Sequence, residues 1–227
     1  MIATFAACGG TLAAFALARW LSARLGHPPW ASPVLVGAII VAGVLALMGV
    51  PVARYGAAAL PLRWLLGPAL VALALIIDAN RAALRREAVP VLVAVGGGMA
   101  VGVGSAIGLA RLLGLAPLLS DAVAVKTLST PFGVAIMGAT GGPVALAAAI
   151  AVLTGVIGAL LVPPMFHRLR ITGVAGRALG LGTAAHIVGT DWLTRRDSRA
   201  GGLSALAMAL AGTIAALLLP ALLRWLA

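Results

Sequence analysis

Acidic residues are scarce in this chain. Five Asp+Glu stand against sixteen Lys+Arg in 227 residues, and charged residues of both signs make up only 9%. A soluble domain carries about a quarter charged residues, so this chain lacks the polar surface to coat a globule, and a soluble enzyme is excluded. One cysteine, Cys8, excludes an intrachain disulfide framework and leaves no thiolate cluster for a metal. Aromatics are only 4% and do not interleave with the arginines, so nucleic acid is not an expected partner. The alternating strands of about ten residues that build a transmembrane barrel are also missing.

What remains is apolar. Hydrophobic residues are 63% and the mean hydropathy is +1.15, a composition that predicts an all-α polytopic membrane protein. Its net charge of +11 comes from arginines set between apolar runs, where they serve topology and contact with anionic membrane lipid. A span needs about twenty apolar residues. Residues 2–18, 33–53, 60–77, 88–110, 143–166 and 200–223 qualify as six transmembrane helices. The first has no charged segment before it, and Arg19 and Arg24 follow it. It therefore reads as a retained helix rather than a signal peptide. The chain is expected to be a single integral membrane domain, 1–227, with N-terminal helices in 1–87 and a transport core in 88–227.

Two stretches do not parse as simple spans. No charged residue lies between Lys126 and His167, about twice the length of one crossing. Pro131 and Gly141-Gly142-Pro143 interrupt this run, and proline removes a backbone donor and clashes with the preceding turn. Residues 118–140 are therefore expected to be a broken or re-entrant element, with the break at Thr130-Pro131. Residues 178–190, around His186, are too short to span. With both elements re-entrant and the N-terminus outside, Arg19, Arg24, Arg81, Arg85, Arg86 and the arginines from Arg168 to Arg199 fall inside. Only Arg54, Arg63, Arg111 and Arg224 fall outside, as the positive-inside rule prefers. Each broken element then follows a span, in two units of opposite orientation. An inverted repeat is the expected architecture, a recurrent one in transporters.

Irregular backbone at membrane depth survives only where protein or a water-filled cavity satisfies it, so these two elements are where a path should lie. The first reads Lys126-Thr127-Leu128-Ser129-Thr130-Pro131: an ammonium and three hydroxyls beside a helix start, where exposed N–H groups favour an anion. The same residues also fit a lysine snorkelling from a helix end. The second reads Gly182-Thr183-Ala184-Ala185-His186-Ile187-Val188-Gly189-Thr190. Its histidine suits proton coupling or simple packing. Asp78, Asp121 and Asp191 read as capping or interfacial residues. Gly98/Gly102, Gly104/Gly108 and Gly138/Gly142 have the spacing of close helix packing. No metal-ligand cluster, cofactor motif or catalytic nucleophile with a positioned base is visible.

These motifs carry a resemblance. Lys126 to Pro131, Gly141-Gly142-Pro143 and Gly182 to Thr190 resemble the signatures of the LrgB/CidB family. Leu66-Gly67-Pro68-Ala69-Leu70-Val71-Ala72-Leu73-Ala74 and Gly202-Leu203-Ser204-Ala205-Leu206-Ala207-Met208 match it too, so the likeness covers residues 33 to 223. Ser129-Thr130 stands where the family usually has two threonines, and Ala185 where it has serine. Leu75-Ile76-Ile77-Asp78 replaces a proline and tyrosine, and the family's acidic position falls among Arg195, Arg196 and Asp197.

The bacterial family is labelled antiholin-like, a regulator of murein hydrolase export. Its plant relative is the plastidic glycolate/glycerate translocator. The resemblance implies either a secondary transporter of small monocarboxylates such as glycolate, glycerate or lactate, or a regulator working with a holin-like (LrgA/CidA-type) membrane partner. The transporter is the first expectation, in a bacterial inner (plasma) membrane and as a homodimer. Lys126, Thr127, Ser129 and Thr130 are expected to bind the carboxylate. Thr183, His186 and Thr190 face them from the second element, with His186 the candidate for proton coupling.

Overall fold

Every regular element is helical among the residues that the computed structural model describes, positions 2–226. In lipid an α-helix satisfies its own backbone groups, and these sequences offer long apolar windows with few charges. Five helices are long and apolar enough to cross a membrane, and a bent pair makes a sixth. They match the six expected spans, and the chain is a multi-pass membrane protein. Contacts divide it into two compact units, Met1–Val71 and Ala72–Ala227.

In the first unit α1 (Ile2–Arg24) packs on α2 (Pro33–Leu47). The close approach is at Gly37, where a Cβ would lie 3.6 Å from the Phe15 backbone. Here α1 runs a turn and a half past the expected 2–18, because Arg19 and Arg24 extend from the helix and Arg24 stacks over Trp20 at 4.9 Å. The expected span 33–53 is shorter in fact. Gly49 has φ +63 and Pro51 follows, so α2 stops at Leu47 and α3 (Val52–Ala58) departs at 118°. Thr11 and Tyr55 share a hydroxyl hydrogen bond of 2.8 Å that ties α3 to α1. Two further helices, α4 (Leu60–Trp64) and α5 (Leu66–Ala79), form the third span, within which the unit boundary falls.

The second unit holds α6 (Arg81–Arg86), α7 (Ala88–Leu112), α8 (Pro117–Ala124), α9 (Thr130–Thr140), α10 (Val144–Arg168), α11 (Val174–Thr194) and α12 (Ser198–Leu226). Its core joins Val91 and Val95 of α7 to Leu179 of α11 and to Leu206, Ala207, Leu210 and Ala211 of α12. Asp197 starts α12, accepting the amides of Arg199 and Ala200 at 3.0 Å each.

Both broken elements fold back on themselves. The second covers 174–194 rather than 178–190. It breaks at His186, whose φ 34 and ψ −123 leave the helical region. A Cβ at Gly189 would stand 2.9 Å from Leu181 Cγ, whereas eight residues of straight helix span about 12 Å. Val174 and Arg177 also line one cavity with Trp192 and Leu193. Thus α11 is a hairpin with His186 at its tip. In the first element a Cβ at Gly133 would stand 3.7 Å from Val125, again eight residues apart. Here the break lies at residues 125–129, ahead of the expected Thr130-Pro131. Proline sits in the first turn of α9, where its missing N–H costs nothing. At the other end Gly141, φ +75, closes α9.

The hairpins open at opposite ends of α12. The mouth of α11 is beside Ala200, and the start of α8 (Pro117, Ser120) shares a cavity with Leu223. Those α12 residues are about 35 Å apart along a helix, roughly the thickness of a bilayer core.

Candidate functional site

The site forms where the two hairpin tips meet on the glycine faces of α7 and α10. Gly98 and Gly102 are one turn apart on α7. A Cβ at Gly102 would stand 2.8 Å from Thr127 Cγ2 of the first break, and one at Gly98 would stand 3.2 Å from Thr183 Cγ2 of the second. The four-residue glycine spacing thus admits both tips to one wall. On α10, a Cβ at Gly155 would stand 2.7 Å from His186 Cε1, and one at Gly158 would stand 2.8 Å from Ala185 Cβ. The Lys126 backbone lies beside the His186 ring. The approach falls short of hydrogen-bond geometry.

Four buried side-chain atoms among the described residues have no hydrogen-bond partner: Thr127 Oγ1, Ser129 Oγ and both ring nitrogens of His186. All four lie at the two breaks. His186 is 0% exposed. Ser129 holds the N-cap position of α9 without making the usual side-chain cap, so its hydroxyl stands beside the Thr130 N–H; Pro131 has no N–H, and those of Phe132 and Gly133 donate to the Ser129 carbonyl. Lys126 is half-buried beside them, and Thr130 is half-buried in the first turn of α9.

Such an arrangement is costly. An unpaired buried polar group costs about 1–3 kcal/mol, and a strained backbone such as that of His186 about as much again. A break serving packing alone would leave neither. Together the residues offer one cation, two hydroxyls, the Thr130 amide and an imidazole, a set that complements a small anion bearing a further polar group.

Two expected residues are engaged elsewhere. Thr183 Oγ1 donates to the Leu179 carbonyl at 2.8 Å. Thr190 Oγ1 shares a 2.9 Å hydrogen bond with Ser204 Oγ of α12. Neither hydroxyl is idle as those of Thr127 and Ser129 are. Of the three aspartates, Asp78 meets Arg81 at 3.4 Å and Asp191 meets Arg195 at 2.9 Å, while Asp121 lines the cavity at the start of α8 with Arg111. None of the three caps a helix. That role falls to Asp197, which stands just ahead of an apolar run and was legible as a cap. The fit of Gly155 to the imidazole depends on the fold-back of α11 and had no local signal.

The residues of the two hairpins and the spans around them match one family from residue 11 to residue 225. The chain belongs to the LrgB-like family. Among similar proteins of Bacillus subtilis (strain 168), the uncharacterized protein YwbG is 29% identical over 86% of this chain and 87% of its own length. The uncharacterized protein YxaC is 28% identical over 82% of this chain and 81% of its own. No solved structure matches. In this LrgB-like chain the family motifs of both broken elements thus converge on one buried point.

Proposed function

We propose that the protein is a secondary transporter of small 2-hydroxymonocarboxylates, of the glycolate, glycerate or lactate class, in a bacterial inner membrane. The observation that carries this reading is the set of four unpartnered buried polar atoms at the facing tips of two hairpins. Lys126, Ser129 and the Thr130 amide bind the carboxylate. Thr127 and His186 take the neighbouring hydroxyl, and the imidazole accepts a proton that travels with the substrate. Thr190 fixes the second hairpin to α12 through the bond it already makes, and the Thr183 hydroxyl is spent within its own arm.

The opening of the hairpins at opposite ends of α12 supports alternating access. Burial of Thr127, Ser129 and His186 corresponds to an occluded conformation, from which one hairpin moves to admit substrate from each side. A regulator that only docks on a holin-like partner has no use for unpaired polar atoms at its centre. The reading also carries homodimerisation, which keeps lipid from the moving elements. Uptake of radiolabelled glycolate into proteoliposomes, with and without a pH gradient, tests the proposal. Accumulation above protein-free vesicles is expected. Absence of uptake of glycolate, glycerate and lactate alike would turn the reading toward the regulator.

A further inference from the structure

The mouth of the second hairpin is a second site, of different chemistry. Val174 and Arg177 from the inbound arm, Trp192 and Leu193 from the end of the outbound arm, and Arg196 just past it line a cavity of about 140 Å³. Arg196 is held beside it, its guanidinium 4.0 Å over the Trp192 ring and donating to the Trp192 carbonyl at 3.0 Å. Arg177 is exposed and makes no ion pair among the described residues. Asp197 also lines the cavity, but its Oδ1 accepts the first amides of α12. Asp191 nearby is paired with Arg195. Two arginines thus line a largely apolar cavity, against one carboxylate whose Oδ1 is already engaged.

A guanidinium fork fits phosphate oxygens. A soluble phosphate, however, has no complement for the Val174, Leu193 and Trp192 walls. The cavity also lies at the start of the apolar run of α12, where a span meets its interface and where basic pockets between helices take lipid headgroups. We propose that it binds the phosphate of an anionic phospholipid between Arg177 and Arg196, with the glycerol backbone against Trp192 and Leu193. Because Arg177 lies on the inbound arm and Arg196 in the turn just past the outbound one, a bound lipid ties the arms together and restrains the hairpin that carries His186. The binding does not rest on the transport reading, although its consequence for hairpin motion does.

Native mass spectrometry of the full chain tests this, after exchange into micelles with equal phosphatidylglycerol and phosphatidylcholine. Phosphatidylglycerol should be retained about thirtyfold over phosphatidylcholine, as two surface arginines predict. Arg177→Gln with Arg196→Gln should erase that preference, and Arg85→Gln in α6 should keep it. Arg177→Gln alone, at an exposed side chain, should lower it severalfold and serves if the double variant fails to fold. Excess inorganic phosphate should leave the lipid bound. Equal retention of both lipids, an unaltered preference in the arginine variants, or displacement by inorganic phosphate would each overturn the proposal.

Discussion

The His186 imidazole occupies the space that a side chain at Gly155 would fill: a Cβ there would stand 2.7 Å from Cε1 and 3.1 Å from Nδ1. Gly155→Ala should therefore displace the ring or push the α11 tip off α10. Transport should fall about tenfold to a hundredfold, the loss expected when a hydrogen bond to a charged group is broken. Gly104→Ala, at a position with nothing within 4 Å of the added Cβ, should transport normally. Both rates are measured against reconstituted protein of verified membrane insertion.

The fold-back of α11 makes a distance prediction. Val174 and Leu193 line one cavity, whereas a continuous helix would separate them by about 28 Å. Cysteines at the two positions, in a Cys8→Ala background, should cross-link through a short bis-maleimide. A re-entrant first element, α8 to α9, likewise returns the chain to the side it left. Single cysteines at Arg85 and Arg170 should then both label only from the cytoplasmic face. Opposite-side labelling means that the first element crosses, and no cross-link means that α11 runs on as a straight helix.

The hydroxyls of the site divide into idle and engaged, and their valine variants should divide likewise. Thr190 Oγ1 bonds to Ser204 Oγ in a buried pair. Thr190→Val strands the serine hydroxyl and should destabilise by about 1–3 kcal/mol, seen as a lower unfolding temperature in detergent. Adding Ser204→Ala should recover part of the loss. Thr127→Val removes a hydroxyl that has no partner, so it should leave stability unchanged or raised while uptake falls.

Much of this was legible in the sequence because charge marks the ends of spans. Arg111, Lys126 and Arg168 bound elements that the structure ends within a few residues of those positions. The oddity of His186 was legible as a polar side chain in an element too short to span. Its conformation was not, since Ala185 and Ile187 carry no break signal and the turn depends on Leu181 meeting Gly189. Pro131 misled locally. Proline is as much at home in a first helical turn as at a break, and the packing of Phe132 against Gly212 of α12 places the turn ahead of it. Nor could the Thr190–Ser204 pair be read, because it joins two helices through a contact between their side chains.

Uptake of labelled glycolate by proteoliposomes carrying Lys126→Ala or His186→Ala tests the shared site most directly. The account predicts that Lys126→Ala abolishes uptake while yield, insertion and unfolding temperature stay near those of the unaltered protein. It predicts that His186→Ala weakens uptake and removes its response to an imposed pH gradient. Normal transport by both variants, with the gradient response intact, would contradict it.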